Sequence, residues 1–291
     1  MALRRFEFRV GEAHDGSSLK SFLRSACVIS ARSMTVIKYN GGRIAVGDRE
    51  LRAHDIIRAD DTVTITLPFE HNDIEPVEGT LDILYEDDYL LIVNKPASMP
   101  VHPTKIHQLD TLANIVSFYQ KGRGEDYLFR ALNRLDKDTS GCVILVKDRI
   151  SYSLLKPTVR KTYIAVCEGL ITEDGVINSP IALASDSKIK RTVHEAGASA
   201  ITHYHPVSYH NGHTLCELWL ETGRTHQIRC HMSSIGHPLA GDDLYGGSLK
   251  YIDRQALHCQ TVRIEHPVTK REQIFTAAIP DDFGKILNTN P

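Results

Sequence analysis

The chain has 291 residues, with 34 Lys and Arg against 36 Asp and Glu and a formal net charge of −2. No global basic field exists, so any nucleic-acid surface must be a local patch. Hydrophobic content of 42% and charged content of 24% predict a soluble globular protein with a real core. No apolar run approaches the roughly 20 residues that span a bilayer, and the length suits one large domain beside a small one.

The opening MALRRFEFRV lacks the apolar centre of a secretory signal. Next, SSLKSFLRSA puts Leu19, Phe22 and Leu23 at helical spacing, with Ser17 or Ser18 as N-cap. ARSMTVIKYNGG predicts a second short helix closed by Gly41 and Gly42. RIAVGDREL predicts a hairpin and DTVTITLP a strand. FEHNDIEPVEG, residues 69 to 79, is acidic and broken by Pro76. It predicts a linker, so the chain divides into a module over 1–70, a linker over 71–80 and a larger domain over 81–291.

In the larger domain, LDILYED, YLLIVNKP, CVILVKD, KTYIAVCEGL, ITHYHPVSY, HTLCELWLE and REQIFTAAI predict strands. TLANIVSFYQK and THQIRCHMSSIG predict helices. Strands outnumber helices and often follow one another directly, which predicts an α+β fold on a mixed, largely antiparallel sheet. The six cysteines are scattered with no CxxC pair. That predicts free thiols in a reducing cytoplasm, without disulfides or a zinc site.

Four stretches could carry chemistry. NRLDKDTSG, residues 133 to 141, crowds charge at the mouth of a core strand. It reads either as a capped polar turn or as an ionised carboxylate displayed for nucleophilic or base work. In ETGRTHQIRCHMSSIGHPLAGDDLYGG, residues 221 to 247, Thr225 is the expected helix cap and Ile228, Met232 and Ile235 the core stripe. Arg224, His226, Arg229 and His231 crowd its first turns. His226, His231, His237, Asp242 and Asp243 fit no compact metal-ligand spacing, and the arginines suit an anionic partner better. Tyr163 sits on a strand, where a core tyrosine is the ordinary reading. Finally, Lys20, Arg24, Arg32, Lys38 and Arg43 occur between Asp15 and Asp48 with no acid among them. They are either a solvated face or phosphate contacts.

Taken together, these stretches resemble the RluA/RluD-type family of RNA pseudouridine synthases. The family signature HRLDxxTSG matches residues 133–141, and GRTHQIRCH, GHPLAGDDLYG, KTYIAV and NKPASMPVHP resemble family blocks in the family's order. The match covers roughly residues 80 to 280, and residues 17 to 66 resemble the family's N-terminal S4 RNA-binding domain. The resemblance implies a pseudouridine synthase fold and a uridine isomerase that needs no cofactor or metal. It implies that Asp136 is the catalytic aspartate, Arg229 its basic partner and Tyr163 the residue that stacks on the target base. Arg134 enters the space left by the flipped base, and Arg224 belongs to the same substrate site. Asn133 stands where the family has His, which keeps hydrogen bonding but removes any titrating role. Large-subunit ribosomal RNA is the implied substrate and transfer RNA the runner-up, acted on by a cytoplasmic monomer. The competing classes are a non-catalytic RNA-binding assembly protein and a metal-dependent hydrolase built on the histidines.

Overall fold

Alternating apolar and polar residues build the first sheet. The computed structural model describes residues 4–287; the start of the stretch read against a secretory signal, residues 1–3, and the terminal 288–291 lie outside the described residues. Strands β1 (Arg5–Arg9), β2 (Arg43–Val46), β3 (Arg49–Glu50) and β4 (Thr62–Thr66) pair antiparallel in the order β1-β4-β2-β3. In TVTIT, Val63 and Ile65 are fully buried while the threonines stay outside, as a period of two requires. β1 escaped the sequence reading, although RFEFR alternates and buries Phe6.

Helices α1 (Leu19–Ser25) and α2 (Ala31–Tyr39) cover this sheet. Ser18 caps α1 by accepting from the Ser21 amide, and Ser30 caps α2 by accepting from the Ser33 amide. The expected stripe of Leu19, Phe22 and Leu23 is buried.

The second sheet holds β5 (Ile83–Glu86), β6 (Leu90–Lys95), β7 (Ser140–Val146), β8 (Arg160–Glu168) and β9 (Gly175–Asn178). β10 (Ile181–Leu183) and β11 (Arg191–Val193) form a separate two-stranded ribbon. β12 (Ile201–His210), β13 (His213–Leu220), β14 (Leu257–Glu265) and β15 (Glu272–Thr276) complete the large sheet. Its order is β5-β6-β7-β14-β8-β13-β12-β9, with β15 branching from β14. Helices α3 (Leu112–Gly122), α4 (Arg149–Leu155), α5 (Gln227–Ser234) and α6 (Gly284–Leu287) pack around it. Every expected strand and helix is present, and the class is α+β. The sequence reading missed β9, β10, β11, β14, α4 and α6. Among the described residues, no helix is long and apolar enough to cross a membrane.

The strand pairs are antiparallel except β7 with β14, where His258 faces Ser140 and Cys259 faces Gly141. This junction explains one glycine. Gly141 has φ +113°, and a Cβ there would lie 2.2 Å from the Cys259 carbonyl oxygen. Only glycine lets the 133–141 loop enter β7 against β14.

Residues 69–79 form no strand or helix, yet they are strapped to α3 rather than loose. Ser117 Oγ donates to the Ile74 carbonyl (2.7 Å), Asn114 Nδ2 to the Glu75 carbonyl (2.8 Å), and the Asn72 amide to Asp126 (2.9 Å). The core of the N-terminal sheet and helices also takes in Ile150 of α4, with Tyr89 and Leu154 packed against it.

Candidate active site

The 133–141 loop is pinned from three sides. Asn133 Nδ2 donates to the Cys142 carbonyl and its Oδ1 accepts from the Ile144 amide, both at 2.9 Å. Beneath the loop, the fully buried Lys95 donates to the carbonyls of Pro96 (2.7 Å), Met99 (2.8 Å) and Lys137 (3.0 Å). Burial pulls the Lys95 pKa down to about 7, against the opposing pull of Asp138 and Asp136. Three acceptors match the three N–H bonds of its charged form. From β14 and the turn before it, Arg254 donates to the Asp138 carbonyl (3.1 Å) and His258 Nδ1 meets Ser140 Oγ (2.9 Å). With the backbone held this way, Asn133 and Leu135 turn inward, Arg134 outward, and Asp136 is left part-exposed.

Asp136 meets α5 across the pocket. Arg229 Nη1 lies 3.3 Å from Asp136 Oδ2. The other side of the same guanidinium grips Asp242, with Nε donating to Oδ2 (2.7 Å) and Nη2 to Oδ1 (2.8 Å). The Asp242 side chain is completely buried. Burial alone would lower the Arg229 pKa. The hydrogen bond and charge of Asp242, aided by Asp136, outweigh it and hold the guanidinium charged. Tyr245 lies under this ion pair, its ring 5.1 Å from the guanidinium carbon.

His226 completes the rim. Its Nε2 is 3.7 Å from Asp136 Oδ2, and its Nδ1 is 3.1 Å from the Tyr245 hydroxyl. Burial lowers its pKa more than Asp136 raises it, so the ring stays neutral. His226 has φ +56° and is itself the N-cap of α5 without a side-chain cap bond. Thr225 is therefore not the cap. Ile235 is 39% exposed, so the core stripe ends at Met232, because α5 stops at Ser234.

Tyr163, on β8, is 5% exposed. Burial, then Cys259 and Asp136, raise its pKa well above the ordinary phenol value, so the hydroxyl stays protonated. Asp136, Tyr163, His226, Arg229, Ile228, Leu135 and Leu220 surround a cavity of about 60 Å³. It opens, past Arg134 and Arg224, into a cleft of about 510 Å³.

The structure thus brings Asp136, Tyr163, Arg229, Arg134 and Arg224 together, with Asp136 and Arg229 meeting across 93 positions of the chain. Asn133 also lines the cleft, but both ends of its amide are committed to β7. In the N-terminal module, Lys20, Arg24 and Arg32 carry no side-chain ion pair or hydrogen bond among the described residues. Lys38 donates to the Leu51 carbonyl and Arg43 to the Asp48 carbonyl (2.6 Å), so these two fasten the module's own loops. The residues read as possible metal ligands have separate partners. His231 is fully buried between Thr202 Oγ1 (2.8 Å) and the Ser179 carbonyl (2.9 Å), and His237 bonds the Glu168 carbonyl (2.8 Å). Among the described residues, no three His, Cys, Asp or Glu gather to hold a metal ion. Sequence reasoning missed Asp242, His226 and Tyr245 as parts of the site. The signal for Asp242 was available: an arginine in a dry pocket needs a counter-ion of its own, and the Asp242–Asp243 pair follows α5 directly.

Comparison with known proteins agrees with this geometry. Residues 89–234 match the family model for RNA pseudouridylate synthase. The uncharacterized RNA pseudouridine synthase YhcT of Bacillus subtilis is 38% identical, over 98% of this chain and 97% of its own length. Ribosomal large subunit pseudouridine synthase D of Pseudomonas aeruginosa is 34% identical, over 85% of this chain and 83% of its own. The solved structure of human RNA pseudouridylate synthase domain containing 1 superimposes with a TM-score of 0.56 at 25% identity, covering 72% of this chain and 87% of that one. The chain with the Asp136–Arg229–Asp242 array belongs to the RNA pseudouridine synthase family.

Proposed function

We propose that the chain isomerises specific uridines of large-subunit ribosomal RNA, with Asp136 as the reacting carboxylate. The observation that carries the site assignment is the Arg229 bridge. One guanidinium is locked by buried Asp242 and turns its remaining edge toward Asp136, over a pocket walled by Tyr163. In the reaction, the N1–C1′ bond breaks, the uracil turns in place, C5 joins C1′, the C5 hydrogen leaves as a proton and N1 takes up one proton. Asp136 serves either by attacking C1′ or C6, or by removing a sugar proton to give a glycal. In each case the carboxylate must stay charged while a base covers it, and the neighbouring guanidinium favours that charge. Tyr163, kept protonated by burial, offers a ring for stacking and a hydrogen-bond donor. The apolar walls Leu135, Leu220 and Ile228 hold the detached uracil away from water. Arg134, exposed at the mouth and without a partner among the described residues, fills the place of the extruded nucleotide.

The ribosomal substrate rests on the relatives named for the large ribosomal subunit, and transfer RNA is the second reading. Residues 1–70 act as an S4-like RNA-binding domain, with Lys20, Arg24 and Arg32 as its free cations. Action as a monomer is part of the same proposal. Six buried free cysteines support a reducing, cytoplasmic setting. Release of tritium from C5-labelled uridine tests the chemistry. Asp136→Asn should bind RNA yet release almost none, and substantial release would falsify the assignment of Asp136. Mapping pseudouridines in ribosomal and transfer RNA, with and without the protein, decides between the substrates.

A further inference from the structure

The cleft beside Asp136 does not end at the target-base pocket. It shares His102, Ala131 and Tyr152 with a second groove of about 820 Å³ that runs between α4 and the start of α2. One wall of that groove is a single face of α4. Arg149, Tyr152, Ser153 and Lys156 follow one another at spacings of three, one and three, which places them on one side of a helix. Ile150, Ser151 and Leu155 face the core instead. Val28, Ser30 and Ser33 of the N-terminal module form the opposite wall. Val28 is 48% exposed with φ +55°, a conformation that β-branched residues rarely hold, at the groove's edge.

The charge of this surface departs from that of the chain. The groove is lined by Arg130, Arg149 and Lys156 and by no carboxylate, and in the adjoining cleft Asp136 is the one carboxylate among the lining residues. Glu70 is shared by Arg130 and Arg149, so one negative charge meets two positive ones. Among the described residues, Arg130 Nη1 is buried with no hydrogen-bond partner, and exposed Lys156 has no side-chain partner. A surplus of positive charge, with one carboxylate serving two arginines and Lys156 beside them, set around an aromatic ring, is the combination that tracks a single nucleic-acid strand: phosphates meet the charges and a base stacks on the ring.

We infer that this groove is a second RNA-binding site. It takes the single-stranded segment flanking the target uridine, with Arg149 and Lys156 on phosphates and Tyr152 under a base. The inference rests on the reading of the chain as an enzyme acting on RNA, and it adds a path leading from the reacting base to the N-terminal module.

The test is a salt titration of binding to a short fluorescent oligouridylate, alongside tritium release from an unmodified large-subunit RNA transcript. Lys156→Gln and Arg149→Gln should each flatten the log–log salt slope by about 0.7, the value for one single-strand phosphate contact. Tyr152→Leu should weaken oligouridylate binding by about five-fold or more. In turnover, each should raise the half-saturating RNA concentration more than it lowers the saturating rate. Lys121→Gln, an exposed cation on α3, is the control expected to change neither. Affinity and slope in the three variants equal to those of the control would overturn the inference. So would losses seen only with a base-paired flank, since the groove would then hold duplex. A wild-type chain releasing no tritium from any RNA would sink the enzymatic assignment instead, while the oligouridylate titration would still decide on the groove.

Discussion

The cradle around Asp136 and the groove along α4 adjoin each other, yet they treat charge in opposite ways. In the cradle, charged groups are matched inside the protein: Arg229 to Asp242 and Asp136, Lys95 to three carbonyls, Arg254 to Asp282 and the Asp138 carbonyl. Along the groove and on the module, Lys156, Lys20, Arg24 and Arg32 have no match among the described residues, and Glu70 alone serves both Arg130 and Arg149. Internal matching fixes geometry around Asp136, the proposed reacting carboxylate, because breaking one partner strands another in a dry site. Unmatched cations fix nothing in the free protein and become ordered only against phosphate. Changes in the cradle should therefore act on turnover and stability, and changes in the groove or module on affinity and its salt dependence.

The largest effect is expected at the bridge. Arg229→Met should cut tritium release about a thousand-fold, as loss of a preorganised charge at a reaction centre does. It should also destabilise the fold by about 3–5 kcal/mol, because Asp242 is left buried and unpaired. Arg229→Lys should restore part of the rate but not the two-point grip on Asp242. Normal turnover in Arg229→Met would break the account of the cradle and make Arg224 the next candidate partner.

Lys95→Met should cost on the order of 3 kcal/mol in thermal or denaturant unfolding, because three carbonyls lose their donor at once. A smaller loss would mean that water replaces the ammonium and that the loop does not depend on it.

A third expectation concerns pH. Burial pushes the His258 pKa down to about 4 from an ordinary 6.5, and the side chain is fully buried beside Ser140. The unfolded chain binds this proton near pH 6.5 while the folded chain resists it. Stability is therefore full above that pH and is lost as pH falls from 6.5 toward 4, by on the order of 3 kcal/mol. Denaturant unfolding at stepped pH should show the slope, and His258→Asn should flatten it. An unchanged slope would assign the acid sensitivity to other groups.

The smallest effects belong to the module. Lys20→Gln, Arg24→Gln and Arg32→Gln should each weaken RNA binding slightly and flatten the salt slope. Lys38→Gln should disturb the module's stability more than its salt slope, because that amine serves the Leu51 carbonyl. Equal salt effects from all four would erase the distinction between matched and unmatched cations.

Much of the fold was legible because periodicity reports which face of an element is buried. TVTIT showed it, and so did the stripe on α1, while LLIVNK, buried on both faces, was legible as a continuous apolar run. What stayed hidden depends on contacts that no local pattern encodes. β14 reads ambiguously in LHCQTVRIE because it changes neighbours along its length, meeting β7 first and β15 later. α4 is too short to show a clear stripe, so its groove-facing side emerged only once both walls were in place. In the site, motif resemblance pointed to Asp136, Tyr163, Arg134 and Arg229. The same reading gave Asn133 a substrate role, and it did not foresee the two backbone hydrogen bonds that tie its amide to β7. It also treated Asp242 as a weak metal candidate, because its partner Arg229 comes into contact only when α5 folds back over the 242–245 turn.

The contrast between cradle and groove is tested most directly by comparing Asp242→Asn with Lys156→Gln in single-turnover tritium release over a range of RNA concentrations. Asp242→Asn leaves Asp136 and the groove intact but loosens Arg229. The account predicts that it lowers the saturating rate about a hundred-fold or more with little change in half-saturation, whereas Lys156→Gln acts chiefly on half-saturation. If both substitutions move the same parameter, the division between groups that hold the reaction centre and groups that hold the RNA is contradicted.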